Sequence, residues 1–404
     1  MNSGPTDNQS SDLIKVSAGE RAALLDNSLD GHGEFARETA VPYCELEGVS
    51  GSSPRLRSSS ETFSGGHYLL LQNRLADYLR ETGSFAAAEQ RYQKLVHFIG
   101  SEDATRADRS GLATVLNNLS VLYTTTGRYS EALREQRRSL KLIEKEFGSR
   151  HPATATCLNN LAEIYRKQGR TFETELLCQQ SLDIRLDTVG PNHPEVAVSL
   201  NNLAEYYREQ NRLDEAEELY QWALDIVTRS LGDEHPDVAM ILNNLGLLRT
   251  AQGDYAAAGQ CHDRALKMIR KHHGDEHPAV STALNNMALM CQSQGDYTKA
   301  CAYFEQALEL ETRLMGDGHP NLALYRHNLA RLFEEAGDSE AAQREYNLGL
   351  AIMGRDIGPA SPVTVKLLEG LANFSERYRL HGKARALRAR ARRVRSQIEQ
   401  SLLA

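Results

Sequence analysis

From about residue 67 to the end of the chain, apolar and small residues recur at three- and four-residue steps, in blocks that repeat every 42 residues. Within one block, residues 194 to 209 place Val198, Leu200, Leu203 and Tyr207 around small Ala204, which predicts a helix with Pro194 at an early position. Asn211 then ends it, in a slot held by glycine at 127, 169, 253, 295 and 337, because both residue types tolerate the left-handed conformation of a helix C-cap. A second helix is predicted from about Leu213 to Leu231, with Ala216, Leu219, Tyr220, Ala223, Leu224 and Val227 on one face, and Gly232 stops it.

The block is a true repeat. Asparagine pairs begin at Asn117, Asn159, Asn201, Asn243 and Asn285, with His327-Asn328 in step. Prolines at 152, 194, 236, 278, 320 and 362 keep the same rhythm, as do glycines at 148, 190, 232, 274, 316 and 358. Small residues (Ala132, Ala216, Ala258, Ala300, Ala342) fill one slot of the second helix, and Leu140, Leu182, Leu224, Leu266, Leu308 and Leu350 fill another. A two-helix unit of this size cannot bury its apolar face alone, so neighbours must stack into an all-α solenoid with one continuous core.

Residues 1–66 lack such periodicity and are rich in serine and glycine, so a disordered or loosely structured segment is expected there. A Gly31-His32-Gly33-Glu34-Phe35-Ala36 stretch matches a loose dinucleotide fingerprint, yet no strand precedes it and no βαβ unit follows. The net charge of -8 and 25% charged residues argue against a general nucleic-acid binder. Six scattered cysteines, no secretory start and no apolar stretch long enough for a membrane span point to a cytoplasmic protein.

The run Leu161-Ala162-Glu163-Ile164-Tyr165 with Gly169, and Ala300 with Phe304 and Ala307, resembles the tetratricopeptide repeat. The 42-residue length, the L-N-N-L-A core and the G-D-E-H-P junction are similar to the longer variant typical of kinesin light chains. The resemblance covers residues 67–404 and implies a right-handed superhelical solenoid of about eight antiparallel helix pairs, six regular and the terminal ones degenerate, closed by a basic C-terminal capping helix. Residues 1–66 carry no heptads, so the coiled coil by which kinesin light chains join their motor is not expected.

The resemblance further implies that the first helix of each pair lines a concave groove, with Asn118, Asn160, Asn202, Asn244, Asn286 and Asn328 at the position that contacts a bound peptide backbone. An asparagine amide both donates and accepts, so it can pair with a peptide of any sequence; equally, it can cross-link neighbouring helices of the scaffold. Residues sharing that helical face turn from acidic, at Glu205, to apolar, at Met240, Leu247 and Leu289, which are expected to anchor an apolar side chain or to pack between repeats. A carboxylate clamp would need a cation four residues before the asparagine, where Thr114, Thr156, Val198, Met240, Thr282 and Leu324 stand.

His151, His193, His235, His277 and His319 each precede a junction proline, one per repeat, which suits helix capping rather than metal binding. Between Arg377 and Ile398 lie nine cations and no acid, with Ala384, Leu387, Ala391, Val394 and Ile398 as an apolar stripe. This is an amphipathic helix expected to dock on the last repeat; its basic patch, including Arg385, Arg388, Arg392 and Arg395, gives an alternative reading as a peripheral membrane- or nucleic-acid-associated factor. No catalytic motif stands out, and no cofactor is implied. The leading expectation is a non-enzymatic adaptor for a protein or peptide.

Overall fold

The structure, a computed structural model, describes residues 65–81, 84–100, 111–355 and 362–403. The expectation of a loose segment over 1–66 falls almost wholly outside the described residues, since the first helix starts at Gly65. The chain divides into two compact units, Met1–Tyr68 and Leu69–Ala404, and the repeats belong to the second.

Sixteen helices are present among the described residues. In chain order they are α1 (Gly65–Glu81), α2 (Phe85–Ile99), α3 (Leu112–Thr125), α4 (Tyr129–Phe147), α5 (Pro152–Lys167), α6 (Thr171–Val189), α7 (Pro194–Glu209) and α8 (Leu213–Leu231). Then come α9 (Pro236–Gln252), α10 (Tyr255–His273), α11 (Pro278–Gln294), α12 (Tyr297–Met315), α13 (Pro320–Ala336), α14 (Ser339–Arg355), α15 (Pro362–Arg377) and α16 (His381–Leu403). These are the eight helix pairs the repeat predicts. From α3 onward each odd helix packs on the even helix that follows it, and each even helix packs on the first helix of the next pair.

The punctuation read from the sequence is what starts and stops these helices. At α5, α7, α9, α11 and α13 the histidine before the proline is the N-cap, and its Nδ1 accepts the backbone N–H two residues on at 3.2–3.3 Å. The capping slot between the two helices is filled in two ways. In the fourth to sixth regular units Asp254, Asp296 and Asp338 accept the backbone N–H three residues on. In the first three the slot holds Arg128, Arg170 and Arg212, whose guanidinium groups lie 4.3, 4.3 and 3.8 Å from the ring centres of Tyr123, Tyr165 and Tyr207. Asn211 takes φ 59°, as its slot requires, and Arg379 takes the same φ in the last pair.

Helix pairs meet through the small slots: Ala132, Ala216, Ala258, Ala300 and Ala342 are fully buried. One pair departs from the pattern in a compensated way. Gly246 stands where other units have Ala162, Ala204, Ala288 and Ala330, and the buried ring of His262 fills the space a methyl would occupy. Within the second unit the two ends of the array also meet. Helix α16 packs against α4, the Phe85 and His319 rings stack 5.6 Å apart, and Ala391, Val394 and Ile398 share an apolar cluster with Tyr129 and Leu133.

Candidate peptide-binding interior

The asparagine pairs lie on the first helices, α3, α5, α7, α9, α11 and, as the single Asn328, α13. Their amides form cross-links between neighbouring units. Asn160 Nδ2 donates to Asn117 Oδ1 at 2.7 Å, Asn244 to Asn201 at 2.8 Å and Asn328 to Asn285 at 3.0 Å. Asn118 donates to Asp77 at 3.3 Å, Asn286 accepts from Asn285 at 3.3 Å, and Asn202 is half-buried on α7. Thus at Asn160, Asn244 and Asn328 the second asparagine reaches back to the first asparagine of the preceding unit. In these three the cross-link uses one N–H, leaving a second N–H and the carbonyl oxygen.

Because the two ends of the array meet, the first helices of the early units look across a cavity of about 1000 Å³ at α13, α15 and α16. Its apolar lining is Val121, Leu324, Val363, Val365 and Ile398. Its polar lining is Asn160, Glu163, Arg166, Lys167, Lys366, Glu369 and Arg395.

The charges in this wall are mostly held in pairs that join helices. Arg166 on α5 contacts Glu163 at 2.6 Å, Glu205 of α7 at 3.1 Å, and Glu209 of α7. Burial pushes the Glu163 carboxyl up, but Arg166 and Lys167 outweigh it and the pKa falls below the ordinary carboxylate value. Burial likewise works against the Arg166 charge, and the three carboxylates more than offset it. Arg395 donates to Glu369 at 2.8 Å. Lys366 is exposed and has no carboxylate partner among the described residues.

Of the residues expected to line a groove, Asn160 is in this cavity wall, and Glu205 sits behind it in the Arg166 cluster. Met240 is 44% exposed on α9, while Leu247 and Leu289 are half-buried on α9 and α11, outside the cavity. The basic patch divides: Arg388 and Arg395 pair with Glu376 and Glu369 of α15, whereas Arg385 and Arg392 are exposed. Arg166, which the pattern flanking each asparagine does not single out, also belongs to the cavity wall. It stands six residues after Asn160, and its 42-residue recurrence with Arg208 was the available signal.

Five free cysteines are described, and burial raises their pKa values, Cys178 to about 12 and Cys301 to about 11. Buried His262 and half-buried His327 are pushed down to about 4, the first by loss of solvation and the second chiefly by it, with Arg331 and Lys366 adding to the shift. The five junction histidines direct Nδ1 at their own helix starts.

A sequence profile described as tetratricopeptide repeat matches residues 111–171, 158–229, 223–271, 237–297 and 279–355. The chain belongs to the tetratricopeptide repeat family. No curated protein matches it. Among solved structures, BtubC (BKLC) from P. vanneervenii is similar at 24% identity, covering 59% of this chain and 92% of that one with a TM-score of 0.43. A putative kinesin light chain from Podosopora anserina is 23% identical, covering 50% and 97% with a TM-score of 0.40. A Rap protein complexed with competence and sporulation factor is 14% identical, covering 83% and 99% with a TM-score of 0.54. At such identities the likeness concerns the fold. Tetratricopeptide arrays serve in general as protein-interaction scaffolds, and among the described residues no helix is long and apolar enough to cross a membrane.

Proposed function

We propose that this array is a non-catalytic adaptor whose interior holds an extended peptide segment of a partner protein. The observation that carries the reading is the cavity of about 1000 Å³ with its lining of amide, mixed charge and aliphatic groups. That volume lies at the upper end of ordinary ligand pockets, roughly 300–1,000 Å³. Asn160 offers a peptide backbone its free N–H and carbonyl, and Val121, Leu324 and Val365 offer an apolar seat. Lys366, with no carboxylate partner among the described residues, favours a segment bearing an acidic side chain there. In this reading the contact extends to Asn244, Asn286, Met240, Leu247 and Leu289 of the later units, which lie outside this cavity. Unpaired cysteines suit a reducing, cytoplasmic setting.

The test is affinity capture with the full chain, comparing the wild type with Asn160→Ala/Lys366→Glu and with Met240→Glu. Expected is loss of a defined set of partners with the interior variant while circular dichroism stays unchanged. Retention of every partner by both folded variants would sink the proposal.

A further inference from the structure

Helix α16 carries a face that the inner pairs use differently. In those pairs one stripe of the even helix receives the first helix of the next pair. Gln136 Nε2 donates to the Cys157 carbonyl at 3.1 Å, Arg137 to the Tyr165 hydroxyl at 3.0 Å and Arg185 to Ser199 Oγ at 2.7 Å, while the Tyr346 ring lies 6.3 Å from Phe374. Stepping by 42 residues, these positions become Arg388, Ala389, Arg395 and again Arg388 in α16. The leucine that six pairs share on this stripe, from Leu140 to Leu350, becomes Arg392.

The apolar side of α16 is already satisfied, with Ala384, Ala391 and Val394 buried. Along the edge facing α15, Arg388 and Arg395 pair with Glu376 and Glu369, seven residues apart on both helices. On the open arc Arg385 and Arg392 repeat the same seven-residue spacing, about 10 Å along the axis. They and Arg393 are exposed and have no carboxylate partner among the described residues. Between them stand small Ala389 and Ser396, half-buried, which let a second helix approach.

We propose that this arc is a docking surface for an acidic helix of a partner protein, seated where the first helix of a further repeat would lie. The partner carries carboxylates seven residues apart on one face, so that they meet Arg385 and Arg392 as Glu376 and Glu369 meet Arg388 and Arg395. Arginine suits this because its planar fork matches a carboxylate bidentately. A bilayer is disfavoured because the apolar side that would insert is buried in the array. Single-stranded nucleic acid is disfavoured because the arc presents Ala386, Ala389, Ser396 and Gln397, with no ring for base stacking.

The experiment uses the full chain and two alanine-based helical peptides of about twenty residues with equal glutamate content. In one the glutamates lie seven residues apart on a single face; in the other they are spread around the helix. Fluorescence anisotropy at low salt is expected to show binding of the first, about tenfold weaker for Arg385→Ala/Arg392→Ala. The second peptide should bind the wild type no better than the first binds the arginine variant. Equal binding of the two peptides, binding of neither, or preferential binding of duplex DNA or phosphatidylserine vesicles would each overturn the proposal. The substituted side chains are exposed, so circular dichroism is expected to be unchanged.

Discussion

His262 is buried with its Nδ1 2.9 Å from Asn243 Oδ1 and its Nε2 without a hydrogen-bond partner, and loss of solvation holds its pKa near 4 against 6.5 for the free side chain. As pH falls, the unfolded chain therefore takes up a proton that the folded chain refuses. Stability present above pH 6.5 is lost progressively between 6.5 and 4. At 1.36 kcal/mol per pH unit, the loss reaches about 2 kcal/mol by pH 5. His262→Gln should abolish this contribution without disturbing the fold, because Gln136 occupies the same slot three units upstream and makes the same bond, to Asn117 Oδ1 at 3.2 Å. The assay is urea unfolding of wild type and variant at pH 7 and pH 5, with amide exchange of α9 to α11 as a second readout since repeat arrays can open in parts. His327, held equally low chiefly by loss of solvation, is present in both chains and cancels in the difference. Wild type and variant responding alike to pH would refute the argument that His262 is kept neutral by burial.

Two further substitutions test the packing and the backbone. Gly246→Ala introduces a methyl about 2.5 Å from the His262 ring, so despite a gain of ~1 kcal/mol in helix propensity it should destabilise the array by about 1 kcal/mol net, measured by thermal melting. Arg379→Gly relieves a non-glycine residue at φ 59° and should raise stability by up to ~1 kcal/mol in the same assay, with no change in the interior.

The helices, their boundaries and the pairing rhythm were legible because they rest on local chemistry. A histidine before a proline, an asparagine in a left-handed slot and an alanine facing a bulky neighbour each act within a few residues of themselves. The cross-linking of the asparagines was legible only as an alternative. Whether Asn160 faces a ligand or its neighbour depends on the register between units 43 residues apart, which no periodicity within one helix reveals. The meeting of Phe85 with His319, and of α16 with α4, joins segments separated by more than half the chain. Curvature summed over many small rotations decides such closure, and each rotation is too small to leave a residue pattern. Arg166 escaped for a related reason: its partners Glu205 and Glu209 lie on the next unit, so its place in the cavity wall follows from stacking.

The cross-links of the asparagine ladder are compatible with the proposed peptide contact. A primary amide has two N–H donors and a carbonyl, and the cross-link to the preceding unit uses one donor. That bond fixes the rotamer, so at Asn160 the remaining donor and acceptor stand at set positions in the cavity wall, and in the proposed complex a peptide need not bear the entropy of ordering them. The arginine at the next layer works similarly. Arg166 is locked by three carboxylates from two units, which leaves it rigid and nearly neutralised, so it shapes the wall more than it attracts charge. Attraction is then left to the one cation of the wall that has no carboxylate partner among the described residues, Lys366, on the opposite side and from the far end of the array. A ligand that touched both Asn160 and Lys366 would bridge an early unit and a late one, and its binding would stabilise the meeting of the two ends by mass action.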